Sequence, residues 1–134
     1  MSKPIIVADA DAQASVSVVL RFFAEVLGAA HDVDAARELL APDFLDHDPA
    51  GEDAGPDGVI AKLQGLWSAL PDARFEAELV IASGDWVSVQ SHLQTATATV
   101  DFADVYRIAD GRIAEHWHVV DTAAMAAAIT PPSS

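Results

Sequence analysis

The stretch that most constrains the fold runs from Asp101 to Asp121. Two segments rich in β-branched and aromatic residues flank Ala109-Asp110-Gly111, and an Asp-Gly pair supplies the positive φ angles of a tight hairpin turn. The pattern therefore predicts a β-hairpin. Side chains of an extended strand alternate between two faces, so each strand of the hairpin presents one set of residues to each side.

One face of the first hairpin strand carries a single charge. Its members are Val100, Phe102, Asp104, Tyr106 and Ile108. A carboxylate among apolar neighbours costs free energy unless it is paired or used. On the second strand the same alternation places the imidazoles of His116 and His118 on one face. The hairpin thus predicts a candidate acid–base site.

Length and charge limit the protein class. The 134 residues suit one domain, with a core over about residues 14–128 and flexible ends, that buries roughly 70% of its unfolded surface. The sequence has seven Lys and Arg residues and 21 Asp and Glu residues. The resulting net charge of −14 argues against nucleic acid and anionic lipid partners. The absence of cysteine excludes disulfides, thiolate nucleophiles and cysteine-ligated metal centres.

No stretch predicts secretion or membrane insertion. Near the N-terminus only Ile5-Ile6-Val7 is apolar, which is too short for a signal-peptide core, and no segment approaches the ~20 apolar residues of a membrane span. We therefore expect a soluble cytoplasmic protein. The tail Thr130–Ser134 is expected to be frayed.

Helical periodicity dominates the first half of the chain. Apolar spacing of three and four predicts helices over Ala10–Gly28, Asp32–Leu40 and Asp57–Leu70, and an Ala-rich helix over Thr122–Ile129. Between the second and third helices, Ala50–Pro56 is rich in Gly and Asp and is expected to be an exposed loop, near the mouth of a pocket.

The period then changes to two. Phe75, Ala77, Leu79 and Ile81 alternate with charged residues, which predicts a half-buried strand, and a second strand follows over Trp86–Thr95. With the hairpin, these make four sequential antiparallel strands. The predicted fold class is α+β, with three N-terminal helices covering one face of a curved antiparallel sheet.

Three motifs resemble a known family. They are Phe44–Pro49, Asp104–Arg107 and Asp110–Val119, the last containing Gly-Arg-Ile-Ala-Glu-His-Trp. They are similar to the SnoaL-like polyketide cyclase group of the nuclear-transport-factor-2-like superfamily, over about Val16 to Asp121. The resemblance implies a cone-shaped, cystatin-like α+β barrel with a deep apolar pocket, usually a homodimer, that works without a cofactor. The superfamily includes cyclases, dehydratases, isomerases, epoxide hydrolases and non-catalytic binding domains.

The sequence departs from the family pattern at two places. After Glu-His-Trp the family typically has Asp, from which a catalytic carboxylate is presented, but here the residue is His118. The family's Gln-His-Asn-Pro appears as Asp46-His47-Asp48-Pro49, which adds carboxylates expected to raise the proton affinity of His47. The family's aldol-type mechanism therefore does not transfer directly.

His118 is the leading catalytic candidate, because an imidazole ordinarily titrates near neutral pH. A histidine packed in the core and bonded to backbone is an equally supported interpretation. Asp104 is predicted to orient this imidazole or to act as the base itself. The alternative for Asp104 is an ion pair with Arg107 or Arg112.

His92 ranks third, as a second proton carrier or oxyanion donor if its strand face is concave, and as an outer-face residue otherwise. His116 is compatible with a scaffold role. His47 is expected to contact substrate, and Glu115 to pair with an Arg across the hairpin.

The aromatic residues are first of all core material, but some must line a pocket. The residues predicted to bind substrate are His47, His116, Trp67, Phe102, Tyr106 and Phe23. Such a lining suits a hydrophobic, oxygenated small molecule, for example a polyketide or terpenoid.

The sequence thus predicts a cofactor-independent acid–base enzyme that catalyses cyclisation, isomerisation or dehydration. One alternative is a non-catalytic ligand-binding or dimeric assembly module of the same fold. A second is an epoxide hydrolase-like or metal-dependent enzyme, since His116 and His118, with His92, His47 and Asp104, could ligate zinc or iron. The His-x-His pair has no accompanying spacing motif, so the metal interpretation ranks below acid–base catalysis.

Overall fold

The computed structural model describes residues 3–48 and 51–130, with the backbone alone for 51–54. These described residues form one seven-stranded sheet with four α-helices. In chain order the elements are β1 (Ile5–Ala8), α1 (Gln13–Phe22), α2 (Val33–Leu39), β2 (Leu40–Asp48), β3 (Gly51–Ala54), α3 (Pro56–Ala69), β4 (Arg74–Ser83), β5 (Trp86–Gln94), β6 (Thr99–Ala109), β7 (Arg112–Val120) and α4 (Thr122–Ile129). The α+β prediction is confirmed, and the first helix continues beyond α1 as a π-helical segment, Phe23–Leu27.

Local sequence signals account for the helix boundaries. Asp32 caps α2, where its side chain accepts a hydrogen bond from the Ala35 backbone at 3.0 Å. Asp121 caps α4 in the same way through Ala124, also at 3.0 Å. Pro56 occupies the first turn of α3, where its missing N–H costs nothing.

The strand order is β1-β4-β5-β6-β7-β2-β3. The antiparallel meander β4–β7 is the one predicted, and its last turn has positive φ at Asp110 (52°) and Gly111 (74°), as expected for Asp-Gly. Three further strands were not predicted from the sequence. β1 pairs in parallel with β4, β2 pairs in parallel with β7, and β3 pairs antiparallel with β2.

The expected loop over Ala50–Pro56 is therefore wrong in part. The backbone of Gly51–Ala54 is β3, hydrogen bonded to β2, and Pro56 already begins α3. Residue 50 lies outside the described residues, as do residues 131–134 of the tail that was expected to be frayed.

A β-bulge in β4 reverses the expected facing of its second half. The pairing with β5 shifts register between Ala77 and Leu79, so one extra residue, Glu78, lies unmatched in β4. As a result Val80 is fully buried, whereas Ile81, which was expected on the apolar face, is 52% exposed.

The helices cover the concave face of the sheet. The main core cluster joins α1, its π-helical extension, α2 and α3 to the inward residues of the strands, and a smaller cluster under α4 includes Leu93 and Val100. Inward residues of β5 are Val87, Val89, Ser91 and Leu93, all buried. None of the helices in the described part of the chain is long and apolar enough to cross a bilayer.

Candidate active site

A cavity of about 200 Å³ lies between the sheet and the helices. Its walls are mostly apolar and its polar groups are few, as in small-molecule sites generally. The apolar and aromatic lining consists of Phe22, Leu27, Leu40, Phe44, Val59, Leu63, Leu66, Phe75, Phe102, Tyr106, Ile113 and Met125. The ionisable lining residues besides Tyr106 are Asp46, Asp48, Lys62, Asp104, His116 and His118. The volume suits a small ligand or one end of a longer one.

Three of these polar residues form a buried triad. The His116 Nδ1 atom lies 3.0 Å from Asp46 Oδ1, and its Nε2 atom lies 2.8 Å from Asp104 Oδ1. Asp46 and Asp104 are only 2% and 6% exposed. Ionised carboxylates accept hydrogen bonds but cannot donate them, so both ring nitrogens of His116 must carry protons to satisfy the two contacts. The geometry therefore calls for an imidazolium.

Electrostatics agree with that protonation state. Burial lowers the pKa of His116, but hydrogen bonds to Asp104 and then to Asp46 outweigh it and raise the pKa from 6.5 to about 9. With both carboxylates ionised, the triad thus holds one positive and two negative formal charges, all within the fold.

Two neighbours support the triad. Ser91, which is buried on β5, donates from Oγ to Asp104 Oδ2 at 3.3 Å. Tyr106 stacks on His116 with ring centroids 4.7 Å apart and planes inclined by 20°. Burial, with the charges of Asp104 and Asp46, raises the pKa of the Tyr106 hydroxyl well above its ordinary value. That hydroxyl therefore keeps its proton and can donate a hydrogen bond.

His118 lines the cavity beside the triad. Its ring centroid lies 5.2 Å from that of His116 and 6.0 Å from that of Phe102. Nδ1 of His118 is buried and has no hydrogen-bond partner within the described part of the chain. Asp104 was expected to orient this imidazole, but its bond goes to His116, although His118 is its direct partner in the β6–β7 ladder.

His92 does not reach the cavity. Its side chain lies on the opposite face of β5 from the buried Ser91 and Leu93, where it contacts the carboxylates of Glu78 and Glu76. The alternative weighed for it, an outer-face position, is the one the structure shows.

The expected substrate-binding residues divide into two groups. His116, Phe102 and Tyr106 line the cavity, whereas His47, Trp67 and Phe23 do not. Phe23 packs edge-on against Tyr106 behind the wall, with ring centroids 6.3 Å apart. Trp67 stacks on His31 at 4.4 Å.

His47 belongs to an outer-face cluster. It stacks on Trp117 with centroids 4.6 Å apart, and its Nε2 atom contacts Glu115 at 2.8 Å. Arg107 also donates to Glu115, at 2.7 Å, which confirms the cross-hairpin pair expected for Glu115. The hydrogen bonds from His47 and then Arg107 lower the pKa of the Glu115 carboxyl.

Asp46 is the triad residue that sequence reasoning missed. Its motif was interpreted through His47, but Phe44 and Asp46 alternate with His47 along β2 and are the buried side of that strand. The signal was present in the alternation, since a fully apolar Phe44 marks the inward face. What was lacking was the recognition of residues 40–48 as a strand.

The metal interpretation fits these residues poorly. His47 and His92 lie outside the cavity, and the nearest donor set consists of Asp46, His116 and His118, whose ligand atoms lie within 4.8 Å of one another. A metal requires a deprotonated imidazole nitrogen. Both nitrogens of His116 are instead engaged as donors to carboxylates, which favours a proton in that position.

Comparisons with known proteins agree with this architecture. A model of the SnoaL-like polyketide cyclase family matches residues 17–129. A candidate polyketide cyclase from Bacillus cereus superposes with a TM-score of 0.84 at 22% identity, covering 96% of this chain and 93% of that chain. No curated protein matches the sequence.

Two further solved structures have the same fold. A candidate SnoaL-like polyketide cyclase from Jannaschia sp. gives a TM-score of 0.74 at 29% identity, with 90% of this chain and 94% of that chain covered. IdmH, a candidate polyketide cyclase from Streptomyces antibioticus, gives 0.73 at 23% identity, with 84% and 96% covered. The predicted α+β fold is thereby confirmed as the fold of the SnoaL-like polyketide cyclase family.

Proposed function

The chain belongs to the SnoaL-like polyketide cyclase family, and we propose that it is a cofactor-independent enzyme that moves protons on an apolar, carbonyl-bearing small molecule. The observation that carries the proposal is the buried Asp46–His116–Asp104 triad facing an apolar cavity, with the imidazole of His118 beside it. Titratable groups held in a mostly apolar cavity are typical of acid–base sites.

In this proposal His118 is the base that acts on the substrate. Its imidazole lines the cavity and makes no hydrogen bond to the described residues, whereas both ring nitrogens of His116 are engaged. His118 takes the proton from the carbon next to the carbonyl, and the electron pair of that C–H bond moves into an enolate. The Tyr106 hydroxyl, kept protonated by its surroundings, donates to the enolate oxygen.

The second half of the reaction returns the proton. In a cyclisation the enolate carbon bonds to a second carbonyl carbon of the same molecule, and the new alkoxide takes the proton from His118. In an isomerisation the proton returns to a different carbon. Either way no proton is gained or lost overall, and no redox partner is needed. In this proposal the triad holds fixed charges next to the imidazole of His118 and the hydroxyl of Tyr106.

The direct test is proton exchange on a model ketone, followed by loss of the ¹H signal next to the carbonyl of 2-tetralone in D₂O. The enzyme is expected to accelerate exchange above buffer, and His118→Ala or Asp104→Asn to slow it about 10²–10⁴-fold while circular dichroism stays unchanged. His92→Gln is the matched control, because that imidazole lies outside the cavity.

The alternative is a non-catalytic ligand-binding module. The open, mostly apolar cavity is compatible with both functions. Exchange no faster than in buffer, together with saturable binding of 2-tetralone, would favour the module. Equal exchange rates in the wild type and both cavity variants would remove the assignment of His118 and Asp104.

A further inference from the structure

The charges around the cavity do not balance. Asp48 and Lys62 form an ion pair at 3.0 Å, so their charges offset one another. The remaining formal charges are the two carboxylates of Asp46 and Asp104 and the imidazolium of His116, which bridges them. Counted over the described residues that line the cavity, with His118 neutral as its proposed role as the base requires, one negative formal charge is in excess.

Apart from Lys62, no Lys or Arg of the described residues lines the cavity. The further contact of Asp104 is with the hydroxyl of Ser91, which is neutral. Arg107 is engaged by Glu115 and does not line the cavity. An unbalanced charge in a buried, low-dielectric site costs much more than one in water, so the site gains most from a ligand that brings a positive charge.

We propose that the cavity selects ligands that carry a protonated amine on an apolar ring system. The inference rests on the proposed function for taking this cavity as the reaction site, and it narrows the substrate class to carbonyl compounds with a basic nitrogen. The ammonium group would contact the carboxylates of Asp46 and Asp104, whose oxygens can each accept more than one hydrogen bond.

Two other features favour a cation. Aromatic faces attract cations, and Phe44, Phe75 and Phe102 line the same cavity as the carboxylates. The net charge of −14 raises the local concentration of cationic ligands and lowers that of anions. An ammonium in the site would also offset part of the charge that develops on an enolate, which links selection to the proposed chemistry.

The test is a ligand series on one bicyclic skeleton, measured by isothermal titration calorimetry near neutral pH and low salt. The probes are 2-aminotetralin (cationic), 2-tetralol (neutral) and tetralin-2-carboxylate (anionic). The wild type is expected to bind the amine about tenfold or more tightly than the alcohol, and the carboxylate most weakly. Alcohol binding equal to or tighter than amine binding would overturn the proposal.

Matched variants separate local from long-range charge. Asp46→Asn should reduce the preference for amine over alcohol to about threefold or less, whereas Asp101→Asn, the same charge change on an exposed position of β6, should leave it unchanged. Equal effects of the two variants would contradict a local site. If Asp46→Asn does not fold, Asp104→Asn replaces it, and the wild-type ranking alone still decides. The ketone exchange assay fails or succeeds independently of this ranking.

Discussion

Asp104 accepts a hydrogen bond from His116, its diagonal neighbour, and not from His118, which lies directly across the β6–β7 ladder. This hydrogen bond gives the two imidazoles of β7 different roles. His116 is fixed at both ring nitrogens and holds a positive charge, while His118 remains available to the cavity.

The first prediction concerns stability against pH. The pKa of His116 is 6.5 in the unfolded chain and about 9 in the folded protein, so folding favours its protonated form. Its contribution, about 3 kcal/mol, is fully present below pH 6.5 and is lost as the pH rises through 9. Urea unfolding at about pH 6 and about pH 9.5 should show this decline.

His116→Gln provides the comparison for that decline. The groups facing His116 are Asp46, Asp104, Tyr106 and His118, and all remain in this variant. The variant should be less stable at low pH, since two buried carboxylates lose their cation, and its free energy of unfolding should change less between pH 6.5 and 9. The same slope in both proteins would show that another group is responsible.

The second prediction orders the two carboxylates. Both hydrogen bonds raise the pKa of His116, and the one to Asp104 contributes more than the one to Asp46. Asp104→Asn should therefore lower the pKa of His116 further than Asp46→Asn does, as followed by NMR titration of its ring protons. Asp101→Asn, on the exposed side of β6, should barely change it. The reverse order would mean that Asp46 is the main partner.

The third prediction tests the bulge in β4 by comparing Ile81, an exposed residue of β4, with Phe44, a buried residue of β2. Phe44 is 1% exposed, and Phe44→Ala should cost about 3–5 kcal/mol of unfolding free energy by leaving a cavity. Ile81 is 52% exposed because of the register shift after Ala77, so Ile81→Ala should cost less than about 1 kcal/mol. Chemical denaturation measures both, and a large loss for Ile81→Ala would place it in a core or an interface.

The fourth prediction concerns the hairpin turn. Gly111 has a φ of +74°, so Gly111→Ala forces an L-residue into the left-handed region and should destabilise the protein by about 1 kcal/mol or more. Gly65 in α3 is the control, because an added Cβ there meets nothing within 4 Å. Gly65→Ala should stabilise by about 0.5–1 kcal/mol. Thermal melts of the two variants should therefore move in opposite directions.

Local patterns predicted most of the fold. Periodicity, capping residues and the Asp-Gly turn placed the helices and the β4–β7 meander, because each depends on neighbours within a few positions. They could not reveal that β2 pairs in parallel with β7, since that pairing joins distant parts of the chain. The bulge at Glu78 was not predicted either. One unmatched residue leaves the alternation of apolar and polar side chains unchanged in the residues before it.

The candidate site was predicted in part. Alternation correctly brought Asp104, His116 and His118 to one side of the sheet. The partners were not predictable, because the bond between His116 and Asp46 spans 70 positions in the sequence and depends on the β2–β7 register. The choice of His116 over His118 by Asp104 is a matter of side-chain rotamers, which the strand pattern leaves open.

The imidazole of His116 also links three strands of the sheet. It lies on β7 and is hydrogen bonded to Asp104 of β6 and to Asp46 of β2. At this place the pairing of β2 with β7 resumes after a register shift. Removing one proton from this ring would abolish one of its two hydrogen bonds to carboxylates and remove its positive charge. A single proton on His116 therefore determines both the charge of the triad and the side-chain connection between β2, β6 and β7.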